Sequence, residues 1–582
     1  MKMTVRQILN VLTLVAMTLV LVMAPAIPAT ADIDDVIGAE IDTKPNMTGD
    51  PRLDQTLANQ NTAWTVIVYL NGDNSLDPST DEAFNRMEVG ACNPNVDVVV
   101  LWDRHPGGPW GPGTRRYKVK CDTNLDEPAD YTEGVDTWDC GELNLGDDQM
   151  LFDFVNWAQT QYLADHYLLS IANHGGGWSP ELPSPMRHRR GWMAGGTGLS
   201  WDETGMDPAD PDDLDYLSTH EVGQVLQHLP HPLDVVFYDA CLMGMLEEAY
   251  EIKEYARYFV ASENIAWDIF RYDDYITPIT ANTQPVELAE HIVAVYGDFL
   301  RDEDYAGTIV ALDLSATDNV ATAVDNLAQT LMAEQSNAAV REQIGEAYVA
   351  AQKLDYDSNG EIEQNTEGYV DLYDLADRIR QTVTSVTIAD AAQGVMDALD
   401  TSGFILAETH RSGLMWNQEG DPEEWDLEDV HGVSIYAPFG EELYVGLGCT
   451  VSTLDPCVVN YDLDCIKVRN YYTTTTPPQD PWLSLAQDTA WDEFVNSFID
   501  VYYCGASMTA SGLHLQGTEA QGLPPTRPVF VLTETREPNY DVDEWGSYKP
   551  PIGGVTIWRR DYSIPGLGRS HTVYLPPILR DR

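Results

Sequence analysis

Basic residues are scarce in this chain. Its 582 residues include 32 Lys and Arg against 94 Asp and Glu, which gives a formal net charge of −62. Nucleic-acid binding requires clustered Lys and Arg to neutralise phosphates, so this composition excludes nucleic acid as a partner. The sequence also lacks an HExxH segment or a comparable set of histidine ligands. This absence argues against a metal-dependent hydrolase built on the acidic clusters.

Long apolar runs are absent except near the start of the chain. Lys2 and Arg6 precede a charge-free stretch at 11–23, which is too short to span a bilayer comfortably, and small residues follow at 29–31. This order predicts a secretory signal peptide over residues 1–31. We therefore expect a secreted protein, extracellular or held at the cell surface, with no stable membrane span.

Cysteine is also sparse, but eight residues in an exported protein still predict disulfides. Cys121 and Cys140 flank an acidic loop and could close it, while Cys92 stands apart from them. Four further cysteines lie late in the chain: Cys449, Cys457, Cys465 and Cys504. If Cys241 is a reactive thiol, seven cysteines remain. Because this number is odd, at least one more thiol should be free. The sequence does not determine the pairing.

Apolar runs of strand character alternate with segments of helical spacing through the first half of the chain. This alternation predicts an α/β fold with a parallel sheet covered by helices on both faces. Strands are expected at 65–70, 96–102, 167–172, 233–238 and 258–261, with part of an edge hairpin at 115–120.

Helices are expected at 76–89 and 147–161 from the spacing of their apolar residues. Ser218 and Glu221 form a capping-box pattern that begins a helix ending near 229. A further helix is expected at 245–257, a largely helical region at 285–399 and a returning strand at 432–437.

Two short segments follow directly on buried strands and carry chemically reactive side chains. One runs from Asn173 to Trp178 and contains His174, and the other runs from Asp239 to Gly244 and contains Cys241. The carboxyl ends of parallel strands share one edge of a sheet, where a thiol nucleophile and its base could meet. The backbone N–H groups of Gly175 and Cys241 could then form an oxyanion hole, and the helix expected after Cys241 would favour the thiolate.

Each of these residues also has a purely structural interpretation. A lone cysteine after a strand is more often a small buried hydrophobic residue, and a lone histidine is usually structural. The position of both residues at strand ends, beside residues poor for core packing, favours a role in catalysis.

The amino-acid sequences of several segments resemble those of the clostripain family of cysteine peptidases. The similar segments are 64–77, 164–178, 237–250, 258–263, 368–374 and 432–436, in the family's order and within residues 63–500. The resemblance implies a caspase-like, mostly parallel sheet flanked by helices, and the segment at 285–399 predicts a helical insertion or subdomain. Past about residue 507, outside the match, the composition shifts to Pro, Gly and Thr with short β-type runs, which predicts a small β-rich C-terminal extension. The domains would be a leader or pro-segment at 32–62, which is polar and without clear periodicity, a peptidase domain at 63–505 and the extension at 506–582.

The resemblance also implies an endopeptidase that cleaves protein or peptide substrates after a basic P1 residue, Arg or less certainly Lys. A Cys–His dyad without an essential third member would be carried by Cys241 and His174, with no cofactor for the chemistry. Asn173 departs from the family pattern, because relatives often have Asp there. A catalytically silent surface binding protein with the same fold is the alternative.

A basic P1 residue needs a carboxylate in the S1 pocket, since a buried unpaired guanidinium is costly. Asp239 matches a position that similar peptidases use for this purpose, and Asp268 is carried over from the loop after Glu263. The alternative for Asp268 is an ordinary surface carboxylate, because acidic residues are abundant throughout this chain.

A basic segment, Arg187-His188-Arg189-Arg190, interrupts the acidic sequence between His174 and Cys241. Flanking Pro and Gly residues predict an exposed loop. It matches the region in which clostripain relatives cut themselves into two chains, so we expect self-cleavage after Arg189 or Arg190 and a monomer of two chains. A solvated loop without cleavage is the alternative.

The segment 355–363 resembles the first nine positions of an EF-hand loop, with Gly360 correctly placed. Its expected calcium ligands are Asp355, Asp357, Asn359 and Glu361. The twelfth position is Thr366 instead of Glu, so a polar surface turn is the alternative. Calcium dependence among clostripain-like enzymes supports a structural Ca²⁺ ion.

Overall fold

A large mixed sheet is the centre of the molecule. The computed structural model describes residues 62–105, 113–125, 135–178, 198–203, 215–355, 360–362, 367–416, 422–438 and 483–504, with short strands at 450–451, 459–460, 533–536, 558–563 and 570–575. Contacts divide the chain into two compact units, Met1–Met508 and Thr509–Arg582.

Nine strands form the main sheet, in the order β12-β10-β9-β8-β5-β1-β2-β3-β4. The five central strands, β9, β8, β5, β1 and β2, are parallel, and antiparallel strands extend both edges. The bounds are β1 Thr62–Gly72, β2 Val96–Arg104, β3 Thr114–Lys118, β4 Val135–Gly141, β5 Ala164–Ala172, β8 Leu233–Asp239, β9 Ala256–Ala261, β10 Gly307–Asp313 and β12 Ile405–Arg411.

Helices cover both faces of this sheet because its central strands are apolar on both sides. In β1, Val66, Val68 and Leu70 face one layer, whereas Ile67 and Tyr69 face the other. The first layer comprises α1 Asp77–Gly90, α5 Tyr272–Ile276 and α6 Pro285–Glu303. The second comprises α2 Asp148–Gln161, α3 Thr219–His228, α4 Leu246–Ile252, α7 Thr317–Glu334, α8 Ala338–Ala350, α9 Leu372–Thr382, α10 Val386–Thr401, α11 Ser484–Asp488 and α12 Trp491–Cys504.

Smaller sheets complete the described structure. The pairs are β6 Leu199–Asp202 with β7 Asp215–Leu217, β11 Tyr369–Asp371 with β15 Ser434–Tyr436, β13 Gly413–Trp416 with β14 Pro422–Trp425, and β16 Thr450–Val451 with β17 Val459–Asn460. In the second unit, β18 Thr533–Arg536, β19 Trp558–Ser563 and β20 Ser570–Leu575 form a three-stranded antiparallel sheet.

The predicted α/β class, with its sheet flanked by helices, is confirmed, and so is the edge hairpin, which is β3 paired with β4. Ser218 caps α3 in a capping box with Glu221, as its sequence indicates. One expectation was wrong: the helix predicted at 245–257 ends at Ile252, because the chain turns and begins β9 at Ala256. The region 285–399 is largely helical, as predicted, and is interrupted by β10, a buried β-branched segment in the main sheet.

The sequence left the disulfide pairing open, and the bridge that Cys121 and Cys140 could have formed is not the one in the structure. Cys121 instead bonds to Cys92, which follows α1, across a sequence separation of 29 residues. Cys140 lies at the end of β4, outside this bridge. Within the described residues, no helix combines the length and apolarity needed to cross a membrane.

A buried ion pair ties α1 to the end of β2. Arg104 Nε donates to Asp77 Oδ1 at 2.6 Å, and both side chains are only 4% exposed. Arg104 also contacts Asp81 at 2.6 Å through Nη1. Removing one partner of a buried pair leaves an uncompensated charge, which is strongly destabilising.

We expect Arg104→Ala to lower the free energy of unfolding by about 3–5 kcal/mol. Arg301→Ala is the matched control, because Arg301 and Asp298 form an exposed pair at 59% and 66% side-chain accessibility, worth about 1 kcal/mol or less. Urea denaturation followed by tryptophan fluorescence measures both. Equal transition midpoints for the two variants would contradict this expectation.

Candidate active site

The candidate site lies where β5 and β8 end side by side. These strands are parallel neighbours, and their last paired residues are Ala172 and Asp239. His174 and Cys241 each lie two residues beyond this pair. The N–H of Asn173 donates to the carbonyl of Asp239 at 3.3 Å, which continues the strand contact toward the site. The two reactive residues therefore leave the same edge of the sheet at adjacent positions.

Gly175 brings the histidine segment against the cysteine segment. A Cβ atom added to Gly175 would lie 2.3 Å from the carbonyl oxygen of Cys241 and 3.0 Å from Cβ of Ala240. No other residue type fits this backbone approach without movement of Cys241. The structure thus places the two predicted oxyanion-hole residues in direct contact.

The His174 ring is held by two residues that the sequence reading did not identify. Its Nε2 lies 2.9 Å from Oγ of Ser75, in the turn after β1, and its ring centroid is 5.4 Å from that of Trp201. Burial lowers the pKa of His174 to about 4, and the Asp268 carboxylate opposes this change. The free imidazole is therefore neutral at physiological pH.

The Cys241 thiol is partly buried and contacts the loop after β9. Its Sγ accepts the N–H of Ala266 at 3.3 Å and lies 3.6 Å from the carbonyl of the same residue. Burial raises the pKa of Cys241 to about 11; the Ala266 N–H opposes this, whereas Asp355, Asp268 and Asp239 raise it further. Burial and these carboxylates favour the neutral thiol, whereas the thiolate expected from the N-terminus of the seven-residue α4 stays a prediction.

The residue after the nucleophile candidate has a strained backbone. Leu242 adopts φ 63°, in the left-handed region, and its side chain is fully buried. Its N–H donates to the carbonyl of Asn264 at 3.0 Å, and Gly244 N–H donates to Ser262 at 2.7 Å. Such strain costs about 1–2 kcal/mol and persists only where the surroundings fix it.

Asp239 and Asp268 lie around the same centre but in different environments. Asp239 is 5% exposed, and its Oδ2 has no hydrogen-bond partner among the described residues. Burial raises its pKa to about 7; the Tyr272 hydroxyl opposes this and Asp268 adds to it. Asp268 is exposed, accepts a hydrogen bond from Ser79, and its charge acts on His174, Cys241 and Asp239.

The remaining predicted residues are only partly described. Arg189 and Arg190 lie outside the described residues, as do Asp357 and Asn359. Asp355 is buried, accepts the N–H of Gly360 at 2.8 Å, and is near enough to affect the Cys241 thiol. Glu361 is exposed. The calcium loop remains a prediction.

Ser75, Trp201 and Ala266 are the site residues that sequence reasoning missed. Ser75 follows β1, the neighbour of β5 in the sheet. Because the carboxyl ends of adjacent parallel strands lie at one edge of a sheet, the sequence could have indicated Ser75 as a site residue. Trp201 and Ala266 reach the site from a separate hairpin and a loop. The sequence contains no local signal for either.

Comparison of the sequence with known proteins identifies the family to which this chain belongs. Residues 68–498 match the model of the clostripain family, Peptidase_C11. Clostripain from Hathewaya histolytica is 27% identical over 429 residues, covering 66% of this chain and 76% of that protein.

Two solved structures also resemble the chain. A secreted C11 cysteine protease from Bacteroides thetaiotaomicron, in complex with an irreversible peptide inhibitor, is 19% identical and has a TM-score of 0.45, with 64% of this chain and 92% of that chain covered. An inactive zymogen C11 protease from Parabacteroides distasonis is 16% identical and has a TM-score of 0.45, with 66% and 94% covered. The structural scores are low, so the assignment depends on the sequence match. That match spans most of the chain, which therefore belongs to the clostripain family and is a cysteine endopeptidase.

Proposed function

We propose that this endopeptidase hydrolyses peptide bonds after Arg, and less certainly after Lys, with Cys241 as nucleophile and His174 as base. The observation that carries the proposal is the close contact of Gly175 with Cys241 at the ends of β5 and β8. It puts imidazole, thiol and two backbone segments at one edge of the sheet. The presence of both dyad residues argues against a silent binding protein.

The chemistry begins from an uncharged pair, because His174 has a lowered and Cys241 a raised pKa. As Sγ attacks the scissile carbonyl carbon, the imidazole accepts the thiol proton. Ser75 contacts Nε2, and in the tautomer whose Nε2–H donates to Ser75, Nδ1 is the nitrogen that accepts the proton. The carbonyl oxygen becomes an oxyanion that accepts from the N–H groups of Gly175 and Cys241.

Collapse of this intermediate breaks the carbon–nitrogen bond and forms a thioester. The imidazolium gives its proton to the leaving amine, so the departing product is neutral. A water molecule then attacks the thioester carbon and gives a proton to His174. The carboxylic acid leaves, and the sulfur recovers the proton as the thiol.

Specificity for Arg follows from the buried carboxylate beside the nucleophile. Asp239 is only 5% exposed and its Oδ2 has no hydrogen-bond partner within the described part of the chain. A guanidinium entering the pocket would supply both the opposite charge and the hydrogen bonds that this group needs. Asp268, whose charge acts on the same centre, would add to the attraction at the pocket's exposed side.

Export and self-cleavage complete the proposal. The basic and apolar segments before Asp32 support removal of a signal peptide and secretion. Arg189 and Arg190 lie between the two dyad residues in sequence and supply the Arg that such an enzyme cleaves. The product would be a monomer of two chains, with protein or peptide substrates.

Substitution of Cys241 tests the nucleophile. Cys241→Ala should reduce hydrolysis of a fluorogenic peptide with Arg at P1 by at least about 10³-fold, because no other group can form the thioester. Cys140→Ala is the control, since Cys140 lies in β4, outside the Cys92–Cys121 disulfide. Retention of rate by Cys241→Ala, or an equal loss in Cys140→Ala, would contradict the assignment.

The pH dependence tests Asp239. Its pKa of about 7 leaves it mostly neutral below that pH and ionised above it, so kcat/KM for an Arg peptide should rise as pH increases through about 7. Asp239→Asn should remove this rise and lower the preference for Arg over Gln at P1 by about a hundredfold. The Gln peptide is the control and should lack the rise. A flat wild-type profile for Arg between pH 5 and 8 would count against this role.

Self-cleavage is tested by purifying the wild-type protein beside two variants. Fragmentation between His174 and Cys241 should occur in wild type and disappear in both Cys241→Ala and the double variant Arg189→Gln/Arg190→Gln. The double variant should also hydrolyse small Arg peptides more slowly than cut wild type, because we propose that the cut opens access to the S1 pocket. Equal fragmentation of wild type and Cys241→Ala would show that another protease makes the cut.

A further inference from the structure

Four large apolar side chains form a surface beside the candidate active site. The rings of Trp267 and Tyr305 stack, with their centroids 4.3 Å apart. Trp416 packs edge-on against both rings, at 5.8 Å from Trp267 and 5.5 Å from Tyr305. Leu414 lies two residues before Trp416 in β13, so the two side chains share one face of that strand. We call these four residues the Trp267–Trp416 surface.

This surface is open to solvent although its side chains are apolar. Trp416 is 40% exposed and Leu414 is 41% exposed. Single exposed apolar residues are ordinary on a protein surface, whereas adjoining ones mark a binding site. Aromatic rings are the groups that binding sites use most, because they offer a large contact area with few rotatable bonds.

The tryptophan nearest the site is fixed by hydrogen bonds. The indole Nε1 of Trp267 donates to the carbonyl of Ala306 at 2.7 Å, and its backbone N–H donates to the hydroxyl of Tyr296 in α6 at 2.8 Å. Ala306 is buried, and its own N–H donates to the carbonyl of Leu414 at 3.1 Å, which joins β13 to the same point. A ligand therefore meets a preformed surface and need not order it.

Trp267 is also connected to the proposed nucleophile through its own backbone. The preceding residue, Ala266, donates its N–H to Sγ of Cys241 at 3.3 Å. The following residue, Asp268, is exposed, and its charge acts on Cys241 and on Asp239, the carboxylate proposed for S1. Trp267 thus lies in sequence between a residue that contacts the sulfur and a residue at the exposed side of the proposed pocket.

We propose that the Trp267–Trp416 surface binds a large apolar side chain of the peptide substrate, at one of the two residues before the basic residue. The inference rests on the function proposed above and narrows its substrate class. A peptide whose basic side chain passes Asp268 places its preceding residues over the same loop, because residues of an extended chain follow at about 3.3 Å intervals. These residues are P2 and P3, on the S1 side of the sulfur, whereas the leaving product lies on the other side.

The chemistry of the surface selects the kind of side chain. An aromatic or aliphatic group that covers the indole and phenol rings removes apolar area from water on both partners. A substrate carboxylate would instead be repelled, because Asp268 directly follows Trp267 and is exposed. The surface therefore favours Phe or Leu and disfavours Glu.

Peptide panels on the wild-type full chain measure this preference. Fluorogenic peptides with Arg at P1 would differ only at P2 or only at P3, where Phe, Leu, Gly and Glu are compared. At P2 or at P3, Phe and Leu should give a kcat/KM about tenfold higher than Gly. The gain should fall mainly on KM, because the side chain is bound equally in the ground state and the transition state. Glu should give a lower kcat/KM than Gly.

Substitutions of the exposed residues test the surface itself. Trp416→Ala should reduce the ratio of kcat/KM for Phe over Gly to near one, and Trp416→Phe should restore most of it. Because this ratio is taken within one variant, a general loss of activity cancels. Leu163→Ala is the matched control for Leu414→Ala: Leu163 is also 41% exposed, but it precedes β5, at the strand end opposite to His174. Leu414→Ala should lower the ratio, whereas Leu163→Ala should keep it.

Binding without turnover separates this inference from the proposed function. In the full chain carrying Cys241→Ala, isothermal titration should show about tenfold tighter binding of the Phe peptide than of the Gly peptide. Trp416→Ala, added to this background, should remove the difference. Both peptides share one P1 residue and no thioester is needed, so the comparison remains interpretable if the roles of Cys241 or Asp239 are wrong.

Equal kcat/KM for Phe and Gly at both P2 and P3 in wild type would overturn the proposal. A preference that Trp416→Ala retains would do the same, and so would a preference confined to positions after the cut. Analytical ultracentrifugation tests the other occupant: a dimer that Trp416→Ala dissociates would show that a second copy of the chain covers this surface, and the proposal would then be wrong.

Discussion

The parallel pairing of β5 with β8 is the constraint on which the rest of the structure depends. It makes Ala172 and Asp239 neighbours, and the two reactive segments follow from that register. A shift by one residue would turn the side chains of one strand to the opposite face. The glycine at 175 then permits a backbone contact that any side chain would block. The sheet register therefore brings the segments of the two proposed dyad residues to adjacent positions at one edge.

Burial, not ion pairing, dominates the electrostatics of the site. It is the largest influence on His174, Cys241 and Asp239, and it favours the neutral form of each. In the proposed function, a substrate with a basic side chain would change this balance, because its positive charge would favour the Asp239 carboxylate. Binding of such a substrate and activation of the site would then be coupled through the same low-dielectric surroundings.

Features encoded by neighbouring residues were predictable from the sequence. The central strands are continuous apolar runs, and the cap of α3 needs only Ser218 and Glu221. Cys241 and His174 could be found because each directly follows such a strand. The resemblance to clostripain then predicted a catalytic role for both residues.

Contacts between distant segments were not predictable in the same way. The Cys92–Cys121 bridge depends on how α1 packs beside the sheet, and Trp201 reaches His174 from a hairpin more than twenty-five residues further along the chain.

The disulfide after α1 places a limit on the surroundings in which this peptidase works. Closing a loop of this length stabilises the fold by roughly 3–4 kcal/mol in the chain-entropy description, so reduction of the bridge would lower stability by about that amount. Cys241, the proposed nucleophile, would by contrast react only while its sulfur is unoxidised. The proposed chemistry therefore has a redox window: strong thiol reductants would open the bridge, whereas strong oxidants would inactivate the nucleophile.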